Sequence, residues 1–138
     1  MREASTLRGS EVMALAIGGN GVMLDRALAS RAEPLSGLIS FGMAGGLSPD
    51  LRLGDWVIGS SILGHGACDV QWVANLASQL PMARIGPCIG GDRLIATAAE
   101  KQELWNADGL LTTDMESHHV ARAAARLGVP FALLRCIS

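Results

Sequence analysis

Apolar residues recur along this chain in two alternating rhythms. Short unbroken runs suit strands buried on both faces, and the stretches between them return an apolar residue every three or four positions, as amphipathic helices do. Residues 12–17 form the first run and end at Gly18-Gly19-Asn20-Gly21, after which helical spacing extends over residues 22–31. Residues 36–41 predict a second strand, closed by Gly42-Met43-Ala44-Gly45-Gly46. Pro49 and Gly54 then punctuate the route into an apolar stretch over residues 55–63. Residues 70–80 predict a short helix stopped by Pro81, residues 84–89 a strand, and residues 97–107 a helix. A brief strand over 109–113, a well-patterned helix over 114–127 ended by Gly128, and a buried strand over 129–137 complete the series. This alternation predicts an α/β fold, a doubly wound and mostly parallel sheet flanked by helices, whose ligands sit beyond the carboxyl ends of the strands.

Composition narrows the field. With 49% apolar residues, a mean hydropathy of +0.32 and a net charge of −2 from 11 basic and 13 acidic residues, disorder is excluded. No block of like charge exists to track a phosphate backbone or coat an anionic membrane, so nucleic acid is not an expected partner. Two Phe, three Trp and no Tyr leave the core to aliphatic residues. No window reaches the roughly 18 apolar residues of a membrane span, and the polar first dozen residues lack the apolar centre of a signal peptide. Cys68, Cys88 and Cys136 form no ligand motif, so reduced thiols, a cytoplasmic location and no metal are expected. Residues 1–138 read as one domain. The last strand stops at Ser138, where such a sheet would turn and add a helix, so the domain is expected to be incomplete at its C-terminal end.

The glycine-rich segments are candidates for chemistry. Gly18, Gly19 and Asn20 follow an apolar run and suit either a tight turn or a nest of backbone N–H groups for phosphate. The dinucleotide fingerprint fails both there and at Gly42. The bare backbone of residues 42–46 can meet the edge of a flat ligand. Thr113-Asp-Met-Glu116 has the spacing of a capping box, yet Glu116 also lies four residues before Val120 on the apolar stripe of its helix, where an inward carboxylate would accept from a sugar diol. Both readings stay open. His118 and His119 are adjacent, so their rings should diverge by about 100° and not chelate one metal from a regular helix. His65, between glycines, reads as a surface residue, and Asp92 as a turn residue or a ligand.

Four motifs in order, Ser40-Phe-Gly-Met-Ala-Gly-Gly-Leu47 with Leu53-Gly-Asp-Trp-Val-Ile58, Gly91-Asp92, Asp114-Met-Glu-Ser117, and Leu127-Gly-Val-Pro-Phe-Ala-Leu-Leu-Arg-Cys-Ile-Ser138, resemble the nucleoside phosphorylase and nucleosidase superfamily. The likeness is nearest to hopanoid-biosynthesis-associated phosphorylase-like proteins, then to methylthioadenosine/S-adenosylhomocysteine nucleosidases. It implies a three-layer nucleoside phosphorylase-like fold in which Met115 and Glu116 hold the ribose. Met43, Ala44, Gly45, Leu94, Ile95 and Ser138 would border the purine. Glu3, in what looks like the remnant of a further motif, would help place the water or phosphate, and Gly18, Gly19 and Asn20 would bind phosphate. In the family an aspartate follows the serine matched by Ser138 and protonates the departing base. The implied reaction is cleavage of the N-glycosidic bond of a purine nucleoside, an adenosine with a 5′ substituent such as adenosylhopane, by phosphorolysis or hydrolysis. No cofactor is implied beyond phosphate as a co-substrate; the expected partners are the small-molecule nucleoside and further copies of the chain in a homodimer or larger assembly. Two rival readings are a degenerate or truncated nucleoside-binding protein without turnover and an unrelated nucleotide-binding α/β protein.

Overall fold

The structure is a computed structural model and describes residues 12–138. Helix α1 (Gly21–Ala29) leads into β1 (Leu38–Gly46), followed by β2 (Trp56–Ile62), β3 (Gly66–Ala67), α2 (Val70–Gln79), β4 (Arg84–Gly90), α3 (Ala98–Asp108), β5 (Thr112–Asp114), α4 (Ser117–Leu127) and β6 (Phe131–Ile137). The mixed α/β class matches the alternation in the sequence. Residues 12–17 depart from it and form no strand. Val12 and Leu15 are exposed, and Ile17 alone of this run packs on the core, its carbonyl accepting the Asn20 N–H at 2.9 Å in the turn before α1. An apolar run signals burial of some of its residues and supplies no pairing partner by itself.

The sheet runs β3-β2-β4-β5-β1-β6, and β2 also pairs with β6, so five strands close into a ring with β3 appended. Pairs β1–β6, β2–β4 and β4–β5 are parallel; β1–β5, β2–β3 and β2–β6 are antiparallel. Closure pairs the edges that an open sheet would expose at β2 and β6. A register shift in β2 between Gly59 and Ser61 falls opposite Gly86 and Pro87, where a residue without an N–H is tolerated. Gly42-Met43-Ala44-Gly45-Gly46, expected as a loop, continues β1. Gly42, Met43 and Ala44 pair with Arg135, Cys136 and Ile137, while Gly45 and Gly46 pair with Thr113 and Thr112, so neighbours on both sides hold this glycine-rich backbone extended.

Helix α4 carries the core. Its buried Val120, Ala121, Ala123 and Ala124 are mostly small, which lets the helix lie close to the sheet with Val57, Ile62, Cys88, Leu133 and Ile137, and Leu24 of α1 joins the same cluster. The entry to α4 passes just above the end of β4. A Cβ at Gly90 would stand 2.7 Å from the His118 amide nitrogen, a clash that glycine avoids. Among the described residues no helix is long and apolar enough to cross a membrane.

Candidate functional site

One buried carboxylate organises the start of α4. Asp114 ends β5, and its Oδ1 accepts the N–H of Glu116 at 2.8 Å and of Ser117 at 2.7 Å, satisfying two of the amides that a helix start leaves open. Its Oδ2 lies 3.1 Å from Arg135 Nε, with both side chains almost fully buried. Arg135 Nη2 donates to Ser40 Oγ at 2.6 Å and Nη1 to the Leu134 carbonyl at 3.2 Å. Burial pushes the Asp114 carboxyl up, but the Arg135 charge and the two amides outweigh it and leave its pKa below the ordinary value.

Glu116 is therefore not the cap. It stands at the N-cap position of α4 without a side-chain hydrogen bond to the helix start, and the capping box, one of the two readings open for Thr113 and Glu116, does not form. The same Thr-x-x-Glu spacing does form one at Thr97 and Glu100. The difference is backbone freedom: Thr97 enters its helix from an exposed loop, whereas Thr113 is buried and paired in β5 with Ile89 and Gly45. The Glu116 carboxylate instead lies over β1, where a Cβ on Gly42 would be 3.9 Å from its Oε2 and 3.7 Å from Arg135 Nη1.

A cavity of about 330 Å³ is bordered by Gly45, Leu94, Ile95, Met115 and Ser138, together with Arg93, Ala96, Lys101, Thr113 and Asp114; Glu116, next to Met115 in the chain, is not among its lining residues. Five of the residues singled out from the sequence thus meet around one space of the size that small ligands occupy. Arg93 is paired with Glu100 at 2.5 Å, and Lys101 was not anticipated at all. Met43 is 58% exposed and does not border the cavity. Ala44 is buried, its carbonyl accepting the Ser138 N–H at 3.1 Å. Gly18 and Gly19 both adopt left-handed φ, at 52° and 77°, and Gly19 backs onto Met115. The Asn20 carboxamide caps α1 through Met23 N at 3.1 Å. Glu3 lies outside the described residues.

The adjacent histidines correct their expected divergence. His118 Nε2 is 2.9 Å and His119 Nε2 3.4 Å from the same Asp92 oxygen, and the two ring centres are 3.9 Å apart. The helical angle separates the two Cβ atoms, but rotation about the side-chain bonds swings both rings to Asp92, which the turn after β4 brings to the first turn of α4. His65 is not isolated either, with its ring centre 5.9 Å from that of His118. Burial first, then the neighbouring His118 and Arg122, lowers the pKa of His65 and of His119. The His118 hydrogen bond lowers that of Asp92.

A family profile described as the Phosphorylase superfamily matches residues 68–138, just over half of the chain. A 5′-methylthioadenosine/S-adenosylhomocysteine nucleosidase of Desulfotalea psychrophila is 29% identical over 127 residues, covering 73% of this chain and 54% of the relative. Among solved structures, Helicobacter pylori MTAN superposes with a TM-score of 0.68 at 20% identity, covering 86% of this chain and 62% of that one. An S-adenosylhomocysteine nucleosidase from Streptococcus pyogenes, in complex with 5-methylthiotubericidin, gives 0.70 at 22% identity, covering 86% and 58%. At these identities the structural likeness establishes the fold, and the chain spans about half the length of the curated relative it matches.

Proposed function

Because the chain belongs to the phosphorylase superfamily, we propose that its cavity binds a purine nucleoside, an adenosine with a 5′ substituent, for cleavage of the N-glycosidic bond. The observation that carries this reading is the meeting of Gly45, Leu94, Ile95, Met115 and Ser138 around one cavity, with Glu116, which Asp114 has relieved of capping, following Met115 in the chain. Glu116 accepts from the 2′ and 3′ hydroxyls, with Met115 against the sugar. Leu94 and Ile95 pack on the base, and the extended backbone at Gly45 meets its edge.

As the bond breaks, the sugar gains oxocarbenium character, and a carboxylate hydrogen-bonded to the diol stabilises the developing charge. Purine departs poorly as an anion and requires a proton at its imidazole edge. Water is the nucleophile we favour over phosphate. Support comes from Asn20, whose backbone N–H is taken by the Ile17 carbonyl at 2.9 Å rather than turned to an anion, and from the curated relative, which is named a nucleosidase. Support for an apolar 5′ group, of which a hopane would be an extreme case, comes from Ile39, Phe41 and Met43. These exposed side chains lead away from Gly45 along one face of β1, one every ~6.8 Å.

One observation favours a second reading, binding without turnover. Among the described residues Asp114 is the sole carboxyl bordering the cavity, and with its pKa lowered by Arg135 it is ionised at neutral pH and has no proton to give the base. Adenine release from 5′-methylthioadenosine, S-adenosylhomocysteine and adenosine, measured with and without phosphate alongside calorimetric binding, separates the readings. Phosphate-independent release supports the hydrolase, and binding without release supports the second reading. Neither binding nor release would overturn both.

A further inference from the structure

The donor atoms of Asp92, His118 and His119 lie within 4.8 Å of one another. They come from two separate segments, the turn after β4 and the first turn of α4. Four tetrahedral ligands at zinc–nitrogen and zinc–oxygen distances of ~2.0–2.1 Å stand ~3.3 Å apart. The separations from Asp92 Oδ1, 2.9 Å to His118 Nε2 and 3.4 Å to His119 Nε2, are already close to that spacing, so a cation can enter with small side-chain adjustments.

We propose that Asp92, His118 and His119 form a three-ligand site for a divalent transition metal of the zinc type, with water or His65 in the fourth position. Two imidazoles and one carboxylate suit Zn(II), Co(II) or Ni(II), whereas Mg(II) and Ca(II) select oxygen ligands. The rings are held from outside the cluster. His118 is 4% exposed, and its backbone is pinned by the close approach of Gly90. The His119 ring packs on the start of α1, where a Cβ at Gly21 would stand 2.6 Å from its Nδ1. Asp92 is 83% exposed at its side chain and leaves an entry path from solvent. Arg122 Nη2, 2.7 Å from His119 Nδ1, opposes a cation by its charge; it is exposed and turns to solvent when the metal enters.

Filling the site ties the segment bearing Leu94 and Ile95 to the helix start bearing Met115 and Glu116. A consequent gain in nucleoside affinity rests on the function proposed above, but metal binding itself does not. The test uses the full chain without an affinity tag, stripped with a chelator and titrated with Co(II), whose four-coordinate complexes show intense visible bands, and then with Zn(II) against a chromophoric chelator. One equivalent should bind with micromolar or tighter affinity. Asp92→Asn and His119→Gln should each weaken binding at least about tenfold, with circular dichroism unchanged, and Arg122→Ala should tighten it. Absence of stoichiometric binding, or wild-type affinity in both ligand variants, would overturn the site whether or not the chain binds nucleosides.

Discussion

Asp114→Asn isolates the electrostatic half of the buried network. The amide keeps an acceptor for the Glu116 and Ser117 N–H groups, while Arg135, 1% exposed at its side chain, loses its counter-charge. Removing one partner of a buried ion pair costs about 3–5 kcal/mol. At a few degrees per kcal/mol for a domain of this size, the melting temperature should fall by about 10 °C or more. Urea denaturation followed by circular dichroism at pH 7 reads the cost directly. The pH dependence has a definite sign. The folded carboxyl has a depressed pKa, so its contribution is complete above the unfolded value of about 3.9 and is lost as the pH falls through the lower folded value. The gap between wild type and Asp114→Asn should therefore close in acid. Introducing Arg135→Met beneath Asp114→Asn removes the stranded charge and should recover much of the loss. A cost below about 1 kcal/mol at pH 7, or one unchanged in the Arg135→Met background, would refute the reasoning.

Three further outcomes follow from the same geometry. Glu116→Gln should leave the unfolding midpoint near wild type, because Asp114 supplies the cap; a loss of about 1 kcal/mol or more in urea would return Glu116 to a capping role. Gly90→Ala should destabilise the fold by about 1–3 kcal/mol by pushing α4 from β4, and a neutral result in thermal melts would mean that the contact relaxes freely. Burial raises the thiols of Cys68 and Cys88 to about 11, so at pH 8 only about a thousandth of each is thiolate. Disulfide reagents should modify half-buried Cys136 first and the other two only on unfolding; equal rates in native buffer would contradict their burial.

The α/β class was legible because long-range periodicity survives in almost every element, α4 above all. The closure of the ring was not, since it depends on β2 meeting β6, a pairing without a local signature. The glycine-rich end of β1 reads locally as a loop and becomes strand only because β5 and β6 flank it. Thr113-x-x-Glu116 was misleading for a related reason: a capping box needs a threonine free to leave its strand. The true cap had a visible signal in Arg135, a lone charge in an otherwise apolar strand that demands a buried counter-charge, which Asp114 provides. The meeting of Asp92 with His118 and His119 was hidden because spacing along a helix fixes Cβ directions and says nothing of a carboxylate arriving from another segment.

Glu116 as the acceptor of the sugar diol is the central functional claim, and its most direct test compares two ligands on two proteins. Calorimetric affinities of 5′-methylthioadenosine and its 2′,3′-dideoxy analogue should differ by at least about tenfold, some 1.4 kcal/mol, on the wild-type chain. On Glu116→Gln, with the fold intact, that preference should collapse towards unity. A preference for the diol that persists undiminished in Glu116→Gln would contradict the account.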